Sequence, residues 1–440
     1  TNIVREVGKQ AEIPVVATPD AHYCRREDAI DQRVLLCVGL STTMSEVTKR
    51  LAQNGDVALG QFFKSSNYHI PTYDEMTLAG HTQTELENTL LIAEMCEEYN
   101  LRHTPMMPNF SCPNKLSSRE YITQLCKEGW GESVDKIDLV VDNSDHTKDE
   151  YGERFQEEFA TLDEANLHNY FLIIYDIMEF AKRNNIYRGA GRGSVGGSLI
   201  AYLLGITEVD PIEYGLLFSR FYNKGRNTAD RVSLPDIDLD FEMGGREKIV
   251  AYIREKYGIE NVAQMITFNR MQGRSALKDV LRTWSSCSFS EMNDMTQFIP
   301  NESEISDQLQ LMKDADKERG GEGKASIIMW ALENNAKELK EWAYIDEESG
   351  RIQGPLAKRF EQAIRMEGTK RSTGKHAAGV IVGNSPLKEI CPLVYDTVSK
   401  TQIGGWEMDD LESVGLVKLD LLGLGLLDRL HGIVDLLGEN

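Results

Sequence analysis

Apolar residues recur every three or four positions over four stretches of the chain, and this spacing predicts amphipathic helices. The stretches are the opening residues, residues 74–99, residues 118–130 and residues 150–184. In the last stretch the pattern predicts a buried face, formed by Phe155, Phe159, Leu167, Phe171, Ile174 and Phe180. Much of the chain before residue 185 is therefore expected to be helical.

Shorter apolar runs predict strands at residues 13–18, 234–241, 378–383 and 415–422. After the second run, the spacing predicts amphipathic helices through Thr283 and then an acidic, helix-rich region to about Glu348. The prolines Pro105, Pro108 and Pro113 indicate a linker, so we expect a domain boundary near them. Helices mixed with strands predict an α/β fold.

Composition narrows the class of protein. A chain of 440 residues predicts roughly two to four domains. It is 41% hydrophobic and 27% charged, typical of a globular enzyme, and no apolar run approaches the ~20 residues of a membrane span. Seven scattered cysteines without a C-x-x-C pair predict reduced thiols, no zinc site and a cytoplasmic location. Because the chain begins at Thr1 and stops after an apolar run, we expect a fragment of a longer protein.

The net charge of -22 argues against a protein whose whole surface coats nucleic acid, because phosphate contacts need clustered Lys and Arg. The charge is unevenly distributed. Acidic residues concentrate in residues 135–164 and 314–348, whereas residues 351–375 hold seven Lys or Arg against Glu361 and Glu367. A locally basic face is therefore compatible with the acidic total.

Three carboxylates alternate with apolar residues in Leu234-Pro235-Asp236-Ile237-Asp238-Leu239-Asp240-Phe241. Side chains of a strand alternate between its faces, so Asp236, Asp238 and Asp240 would share one face. Crowded carboxylates are costly unless a cation neutralises them, and oxygen ligands suit Mg²⁺. We therefore predict a metal site for phosphate chemistry. The alternative is an acidic, exposed edge strand.

A second acidic position lies in the apolar run Leu416-Val417-Lys418-Leu419-Asp420-Leu421-Leu422. Lys418 and Asp420 would share one face of this strand. A lone Asp in such surroundings is expensive unless it has a cationic partner or a metal. We predict that Asp420 completes the pair of metal sites, and the alternative is a structural ion pair.

The segment Gly189-Ala190-Gly191-Arg192-Gly193-Ser194-Val195-Gly196-Gly197-Ser198 precedes an apolar helical run. Backbone N–H groups at the amino end of a helix bind phosphate well, and Arg192 and Ser194 add donors. The segment lacks the Walker lysine and the dinucleotide spacing, so a purely structural turn is the alternative. Further cationic groups that could clamp a triphosphate and a nucleic-acid backbone, or be solvated surface charges, are Arg220, Arg270, Arg274, Lys278, Lys375 and His376.

Together these motifs resemble the C-family bacterial replicative DNA polymerases, the alpha subunit of DNA polymerase III. The resemblance covers most of the chain, with the motifs in family order. They are Gly191-Arg192-Gly193-Ser194, Gly205-Ile206-Thr207 with Asp210-Pro211, Tyr214-Gly215-Leu216-Leu217-Phe218-Ser219-Arg220-Phe221, Pro235-Asp236-Ile237-Asp238-Leu239-Asp240-Phe241, Thr267-Phe268, Gly374-Lys375-His376-Ala377 and Val417-Lys418-Leu419-Asp420.

The resemblance implies a palm similar to that of polymerase beta-like nucleotidyltransferases, with an inserted helical thumb, preceded by part of a PHP (β/α) barrel. The expected domains are the end of the PHP domain at 1–55, connecting helices and a linker at 56–115, the palm at 116–260 and 371–430, the thumb at 261–370, and the start of truncated fingers at 431–440. The sequence departs from the family pattern in two places. Ala190 stands where relatives commonly carry Pro, and the thumb is acidic between residues 289 and 348.

The resemblance also implies roles for individual residues. The metal ligands and catalytic residues would be Asp236, Asp238 and Asp420, with Asp240 dispensable. Contacts to the triphosphate or primer end would come from Arg192, Gly193, Ser194, Arg220, Lys375, His376 and Lys418. Contacts to DNA would come from Arg270, Arg274, Lys278, Lys370 and Arg371. Asp20 and His22 match the last PHP motif, and we expect a metal role for them only in a longer parent chain.

The implied activity is template-directed DNA synthesis from dNTPs at a primer 3′-hydroxyl, with two Mg²⁺ ions. The implied partners are primer–template DNA and, in the parent protein, a sliding clamp and other replisome subunits, without a membrane. Two alternatives stay open. One is a catalytically silent fragment that lacks the fingers. The other is a template-independent nucleotidyltransferase acting on a small molecule or an RNA end.

Overall fold

The computed structural model describes residues 2–54, 57–223, 225 and 234–438. Its helices are α1 (Asn2–Ala11), α2 (Ala29–Gly39), α3 (Met44–Asn54), α4 (Val57–Lys64), α5 (Tyr73–Leu78), α6 (Gln83–Glu94), α7 (Ser118–Asn143), α8 (Lys148–Ala165), α9 (His168–Arg183), α10 (Leu199–Leu203), α11 (Phe218–Phe221), α12 (Met243–Tyr257), α13 (Gly273–Trp284), α14 (Phe289–Thr296), α15 (Ser306–Glu318), α16 (Ile327–Asn334), α17 (Ala336–Leu339), α18 (Ala357–Met366), α19 (Met408–Ser413) and α20 (Gly425–Leu437). Its strands are β1 (Asp238–Phe241), β2 (Val262–Arg270), β3 (Tyr344–Ile345), β4 (Ile352–Gln353), β5 (Lys370–Val382), β6 (Leu393–Asp396), β7 (Thr401–Gly404) and β8 (Val417–Gly423).

The chain forms two compact units. Unit 1 comprises Thr1–Tyr99 and Phe268–Thr373, and unit 2 comprises Asn100–Thr267 and Gly374–Asn440. The names PHP, palm, thumb and fingers remain predictions for these segments. Of the predicted domain ends, residues 1, 55, 56 and 440 lie outside the described residues.

The larger sheet has the strand order β1-β8-β5-β2-β7-β6. β1 runs parallel to β8 and places Asp238 opposite Asp420. β5 runs antiparallel to β8 and places Gly379 opposite Asp420 from the other side. The sheet is therefore mixed, and with the surrounding helices it confirms the predicted α/β class.

The main core of unit 2 lies beneath this sheet. Phe171 of α9, Ile249 of α12, Phe241 of β1 and Leu421 of β8 are fully buried in one cluster. Burial of a large apolar side chain contributes roughly 1.5–3 kcal/mol, so these residues hold β1 and β8 firmly in place. The close approach of α7 to α10 requires Gly129, since a Cβ there would lie 1.8 Å from the Leu203 carbonyl oxygen.

Local signals explain where the helices of unit 2 begin and end. Ser117 with Glu120 and Thr147 with Glu150 form capping boxes that begin α7 and α8. α8 ends at Asn166 in the left-handed conformation, so the predicted helical stretch at 150–184 is two helices, α8 and α9. Of the predicted buried face, Phe159, Leu167, Phe171 and Ile174 are buried, and Phe155 and Phe180 are partly buried.

Unit 1 is mainly helical, and its core surrounds α13. Val34 of α2, Leu277 of α13, Ile328 of α16 and Phe360 of α18 are buried in one cluster. Asp31 of α2 accepts hydrogen bonds from the side chains of Gln362 and Arg365 on α18. The amino-terminal segment and residues 268–373 therefore share one core.

Two predicted elements are wrong. Residues 13–18 form no strand: Ala17 donates to the Glu85 carbonyl, but Pro14 has no N–H to donate and Ile13 is exposed. Residues 262–270 form β2, where the spacing predicted helix. The first five residues of β2 are buried on both faces, which removes the alternation that normally indicates a strand. The predicted strand at 234–241 is shorter and begins at Asp238.

Among the described helices, none combines the length and the apolar character needed to cross a lipid bilayer.

Candidate active site

β1 and β8 bring three aspartates together. Asp238 and Asp420 are directly opposite in the parallel ladder, and Asp236 lies just before β1. Each contributes a carboxylate oxygen, and these oxygens all lie within 4.8 Å of one another. Three hard oxygen ligands at such spacing fit Mg²⁺, so the residues present are compatible with the predicted ion. We call Asp236, Asp238 and Asp420 the acidic triad.

Among the described residues, Lys418 is the cation that forms ion pairs with the triad. Its Nζ lies 2.7 Å from a carboxylate oxygen of Asp420 and 3.7 Å from one of Asp236. Burial lowers the pKa of Lys418, but the bond to Asp420 and the nearby carboxylates outweigh burial and leave it raised. Burial raises the pKa of Asp420, against the opposing effect of Lys418 and with a further increase from Asp236. In the described part of the chain, one lysine thus pairs with a triad of three carboxylates, and this excess of negative charge favours a further cation.

Asp240 shares the strand but lies outside the triad. Its carboxylate is 3.2 Å from the Arg192 guanidinium. Burial raises the pKa of Asp240, and Arg192 opposes this increase. Asp240 therefore has its own cationic partner, and its dispensability remains a prediction.

The glycine-rich loop lies against β1. The Gly189 N–H donates to the Asp240 carbonyl at 2.9 Å, and a Cβ on Gly193 would lie 3.6 Å from a carboxylate oxygen of Asp238. Gly191 has φ +125° and no room for a Cβ, which would lie 2.2 Å from Thr207 Oγ1. Within the described residues, no group accepts from the backbone N–H of Gly193 or Ser194. These two donors are therefore free to bind an anion beside the triad.

The amino end of α10 differs from the expectation. We predicted that its N–H groups would bind phosphate, but the buried carboxylate of Glu158 accepts from Leu199 at 2.8 Å and from Ile200 at 3.1 Å. The next N–H, of Ala201, donates to the Ser198 hydroxyl. The anion site at this helix end is therefore filled by the chain itself, which leaves Gly193 and Ser194 as the available donors.

The other cations predicted for the triphosphate belong to unit 2. Arg220 on α11 and Lys375 on β5 are exposed. His376 Nδ1 accepts from the Gly379 N–H at 2.7 Å, so in the neutral ring the proton is on Nε2. Because Gly379 is opposite Asp420 in the ladder, the structure brings His376 to the strand that flanks the triad.

The residues predicted to contact DNA belong to unit 1. Arg270, Arg274 and Lys278 line a cavity of about 400 Å³ at the amino end of α13. Arg274 donates to the Ile299 carbonyl at 2.8 Å and Lys278 donates to the Asn293 side chain at 2.7 Å, so these side chains also have structural bonds.

The remaining pair of predicted DNA contacts lies at the start of β5. Lys370 Nζ lies 3.7 Å from the centre of the Phe268 ring. The Arg371 guanidinium lies 3.1 Å from a carboxylate oxygen of Asp279. These interactions hold both side chains while leaving them exposed to solvent.

Asp20 and His22 are exposed and lie 3.6 Å apart, and the His22 ring meets Phe62 edge-on. Neither belongs to a group of three metal-ligating side chains within the described part of the chain. Their metal role therefore remains a prediction for a longer chain.

The sequence analysis missed two residues beside the triad. Tyr170 and Glu412 line a cavity of about 50 Å³ with Asp236 and Lys418. The buried Tyr170 hydroxyl donates to the Pro235 carbonyl at 2.8 Å and so holds the residue before Asp236. Burial raises the pKa of Glu412. A hydroxyl at a buried position of α9 was the available signal for Tyr170.

Comparison with known proteins identifies the family of this chain. Residues 120–423 match the family model described as the bacterial DNA polymerase III alpha NTPase domain. DNA polymerase III subunit alpha of Aquifex aeolicus is 33% identical over 99% of this chain and 36% of its own length. The same subunit of Borreliella burgdorferi is 31% identical over 98% of this chain and 33% of its own length, and that of Bacillus subtilis is 30% identical over 99% and 34%. The chain thus spans about a third of the length of these relatives, and it belongs to the bacterial DNA polymerase III alpha subunit family.

Proposed function

We propose that this chain carries the nucleotidyl-transfer site of a replicative DNA polymerase, which adds deoxynucleoside monophosphates from dNTPs to a primer 3′-hydroxyl on a DNA template. The observation that carries the proposal is the acidic triad, with three carboxylate oxygens within 4.8 Å of one another in a member of this family. The unpaired N–H groups beside Asp238 support it, because phosphoryl transfer needs donors for a triphosphate next to the metal ligands.

In this proposal Asp236, Asp238 and Asp420 hold two Mg²⁺ ions. Bound Mg²⁺ supplies a lowered pKa for the primer hydroxyl and screens the charge of the triphosphate. The Gly193 and Ser194 backbone, the Ser194 hydroxyl and the Arg192 and Arg220 guanidinium groups bind the phosphates. Lys418, Lys375 and His376 add positive charge around the triphosphate or primer end.

The same proposal assigns the palm to residues 116–260 and 371–430 and the thumb to residues 261–370. Arg270, Arg274, Lys278, Lys370 and Arg371 of unit 1 then contact the backbone of the primer–template duplex. We place the reaction in the cytoplasm, with a sliding clamp and other replisome subunits as partners of the complete polypeptide. Residues 1–55, with Asp20 and His22, are assigned to the end of a PHP domain.

The test is Asp238→Ala in the intact polypeptide encoded by the gene, assayed for extension of a primed template with Mg²⁺. We expect incorporation to fall by at least about 1,000-fold, because removing a group that stabilises developing charge typically costs roughly 100- to 1,000-fold and a metal ligand contributes more. Asp240→Ala is the matched control two residues along the same strand, and it should retain most of the activity. Full incorporation by a folded Asp238→Ala protein contradicts the proposal. Extension of an unprimed acceptor, without dependence on template, favours a template-independent transferase instead.

A further inference from the structure

A buried ion pair joins two residues one turn apart on α8. Arg154 Nε lies 2.7 Å from Glu158 Oε1. The Glu158 side chain is 0% exposed and that of Arg154 is 14% exposed. Burial raises the pKa of Glu158, and three N–H or O–H donors with Arg154 oppose this shift. Burying such a pair costs more desolvation free energy than forming a surface pair, and further hydrogen bonds must offset this cost. The groups that supply these hydrogen bonds therefore indicate what the pair holds in place.

The partners of Glu158 come directly after the glycine-rich loop. Its carboxylate accepts from the Ser198 hydroxyl at 2.8 Å and from the backbone N–H groups of Leu199 and Ile200. Charge-assisted hydrogen bonds from three consecutive residues fix the point where the loop ends and α10 begins. The loop is therefore anchored four residues after Ser194.

The partners of Arg154 lie in two separate segments. Its Nη2 donates to the Gly197 carbonyl at 2.5 Å and to the Leu216 carbonyl at 3.1 Å. Gly197 ends the turn that contains Gly193 and Ser194, and Leu216 precedes α11, which carries Arg220. One guanidinium thus bridges the two segments that carry the predicted phosphate contacts.

The two segments also meet directly. A Cβ on Gly197 would lie 2.8 Å from the Leu217 carbonyl oxygen, so the backbones are in contact. One turn earlier on α8, the Tyr151 hydroxyl donates to Asp210 at 2.7 Å, and Asp210 accepts from the Ile212 N–H at 2.8 Å. α8 therefore holds the loop, the turn at 210–212 and the segment before α11.

We propose that Arg154 and Glu158 are positioning residues for the triphosphate: they set the separation between the Gly193–Ser194 backbone and Arg220. This inference rests on the proposed function. A fully bonded polar network specifies one geometry more narrowly than an apolar contact of equal volume. The pair contacts neither the triad nor any residue of the phosphate site directly, so its effect on nucleotide binding passes through the loop and through α11.

The test compares Glu158→Gln and Arg154→Lys in the intact polypeptide. Glutamine keeps the shape of Glu158 but loses its charge and presents an NH₂ group toward N–H donors. Lysine can still neutralise Glu158, but it lacks the planar fork that bridges two carbonyls. Glu157→Gln is the matched control, since Glu157 is the exposed neighbour on the same helix.

We expect both variants to raise the KM for dNTP by roughly tenfold or more, the fold-change that corresponds to one charge-assisted hydrogen bond. The dissociation constant for primer–template DNA should stay close to that of Glu157→Gln, whereas the melting midpoint of Glu158→Gln should fall, because Arg154 then has no buried carboxylate to pair with. In hydrogen exchange, the amides of residues 198–201, which are bonded where the loop meets α10, should lose protection in Glu158→Gln. A purely structural role would instead weaken the binding of dNTP and of primer–template DNA together.

Different results contradict the proposed function and the positioning role of Arg154 and Glu158. If the unmodified polypeptide does not incorporate nucleotides, the proposed function is wrong. If it does, and both folded variants bind dNTP as well as Glu157→Gln does, only the positioning role is wrong. Should Glu158→Gln not fold, Arg154→Lys gives the same comparison, and an unchanged dNTP KM in that variant overturns the proposal.

Discussion

Asp420 in unit 2 and Asp279 in unit 1 are both buried aspartates, but their charges are balanced differently. Their side chains are 8% and 2% exposed. Asp279 on α13 lies 2.8 Å from Arg282 and 3.1 Å from Arg371. Asp420 and Asp236 both pair with Lys418, which is the cation that pairs with them within the residues that the structure describes, and Asp238 lies in the same triad. Burial alone therefore does not indicate a metal site, and what distinguishes Asp420 from Asp279 is the excess of carboxylates over cations among its described neighbours.

The causes of the pKa shifts also differ between Asp279 and Asp420. Burial raises the pKa of both carboxyl groups. At Asp279 both neighbouring charges, Arg371 and Arg282, oppose the increase. At Asp420, Lys418 opposes it and the carboxylate of Asp236 adds to it. Only the surroundings of Asp420 call for another cation.

The largest expected effect is that of Asp420→Asn on metal binding. Loss of a direct ligand should weaken Mn²⁺ binding by at least about 100-fold, more than the roughly 10- to 100-fold cost of removing an outer-shell partner. Paramagnetic resonance titration of Mn²⁺ with the folded protein measures this change. Asp279→Asn is the matched control and should bind Mn²⁺ as the unmodified chain does. Equal affinities in the two variants would show that the triad is not the metal site.

A smaller effect of the opposite sign is expected from Lys418→Met. Removing the cation that pairs with Asp420 and Asp236 leaves the triad more negative, so Mn²⁺ affinity should rise by roughly tenfold, given the strength of a single charge at this distance. Without metal the variant should melt at a lower temperature, because three carboxylates then repel one another. Added Mg²⁺ should restore its melting midpoint more than that of the unmodified chain.

The matched control for this prediction is Lys375→Met, because Lys375 is exposed and is also on the sheet. Its melting midpoint should depend on Mg²⁺ as that of the unmodified chain does. Lowered Mn²⁺ affinity in Lys418→Met would mean that Lys418 supports the ion rather than competing with it.

The smallest effect concerns stability at Asp279. Because the folded pKa of Asp279 is raised above its ordinary 3.8, the folded protein holds this proton to higher pH than the unfolded chain does. The group therefore reduces stability as pH rises through the interval above 3.8. An asparagine side chain has no such proton to lose. Between pH 4 and pH 7, the free energy of unfolding of Asp279→Asn should therefore rise by up to about 1 kcal/mol relative to that of the unmodified chain. Urea unfolding at both pH values tests this, and a difference that shrinks with rising pH would contradict it.

Short-range signals predicted much of the fold. Helical spacing predicted helix over residues 118–130 and 150–184, where α7, α8 and α9 lie, and the apolar runs at residues 378–383 and 415–422 lie largely within β5 and β8. Prediction failed where burial depends on distant partners. β2 has no alternation because both of its faces are covered, and residues 13–18 have no partner strand among the described residues.

In the candidate site, too, local pattern predicted some features and others depend on distant parts of the chain. Asp236 and Asp238 are neighbours, and their common face follows from the period of a strand. That Asp420 is opposite Asp238 depends on the register of β1 and β8 across about 180 residues. The sequence pattern predicted a site role for Asp420 because a lone Asp in an apolar strand is energetically costly. The distance between its carboxylate and those of Asp236 and Asp238 does not follow from the pattern.

The local sequence was sufficient to recognise alternating carboxylates, a lone acid in an apolar strand and a glycine-rich turn, because each depends on neighbouring residues. Tertiary structure was needed to show that Asp240 pairs with Arg192, that Glu158 occupies the amino end of α10 and that Arg154 bridges two loops. The physical reason is that a carboxylate forms bonds with the donors that lie near it, and tertiary packing determines which donors these are. Which acid remains uncompensated is therefore a property of the folded chain.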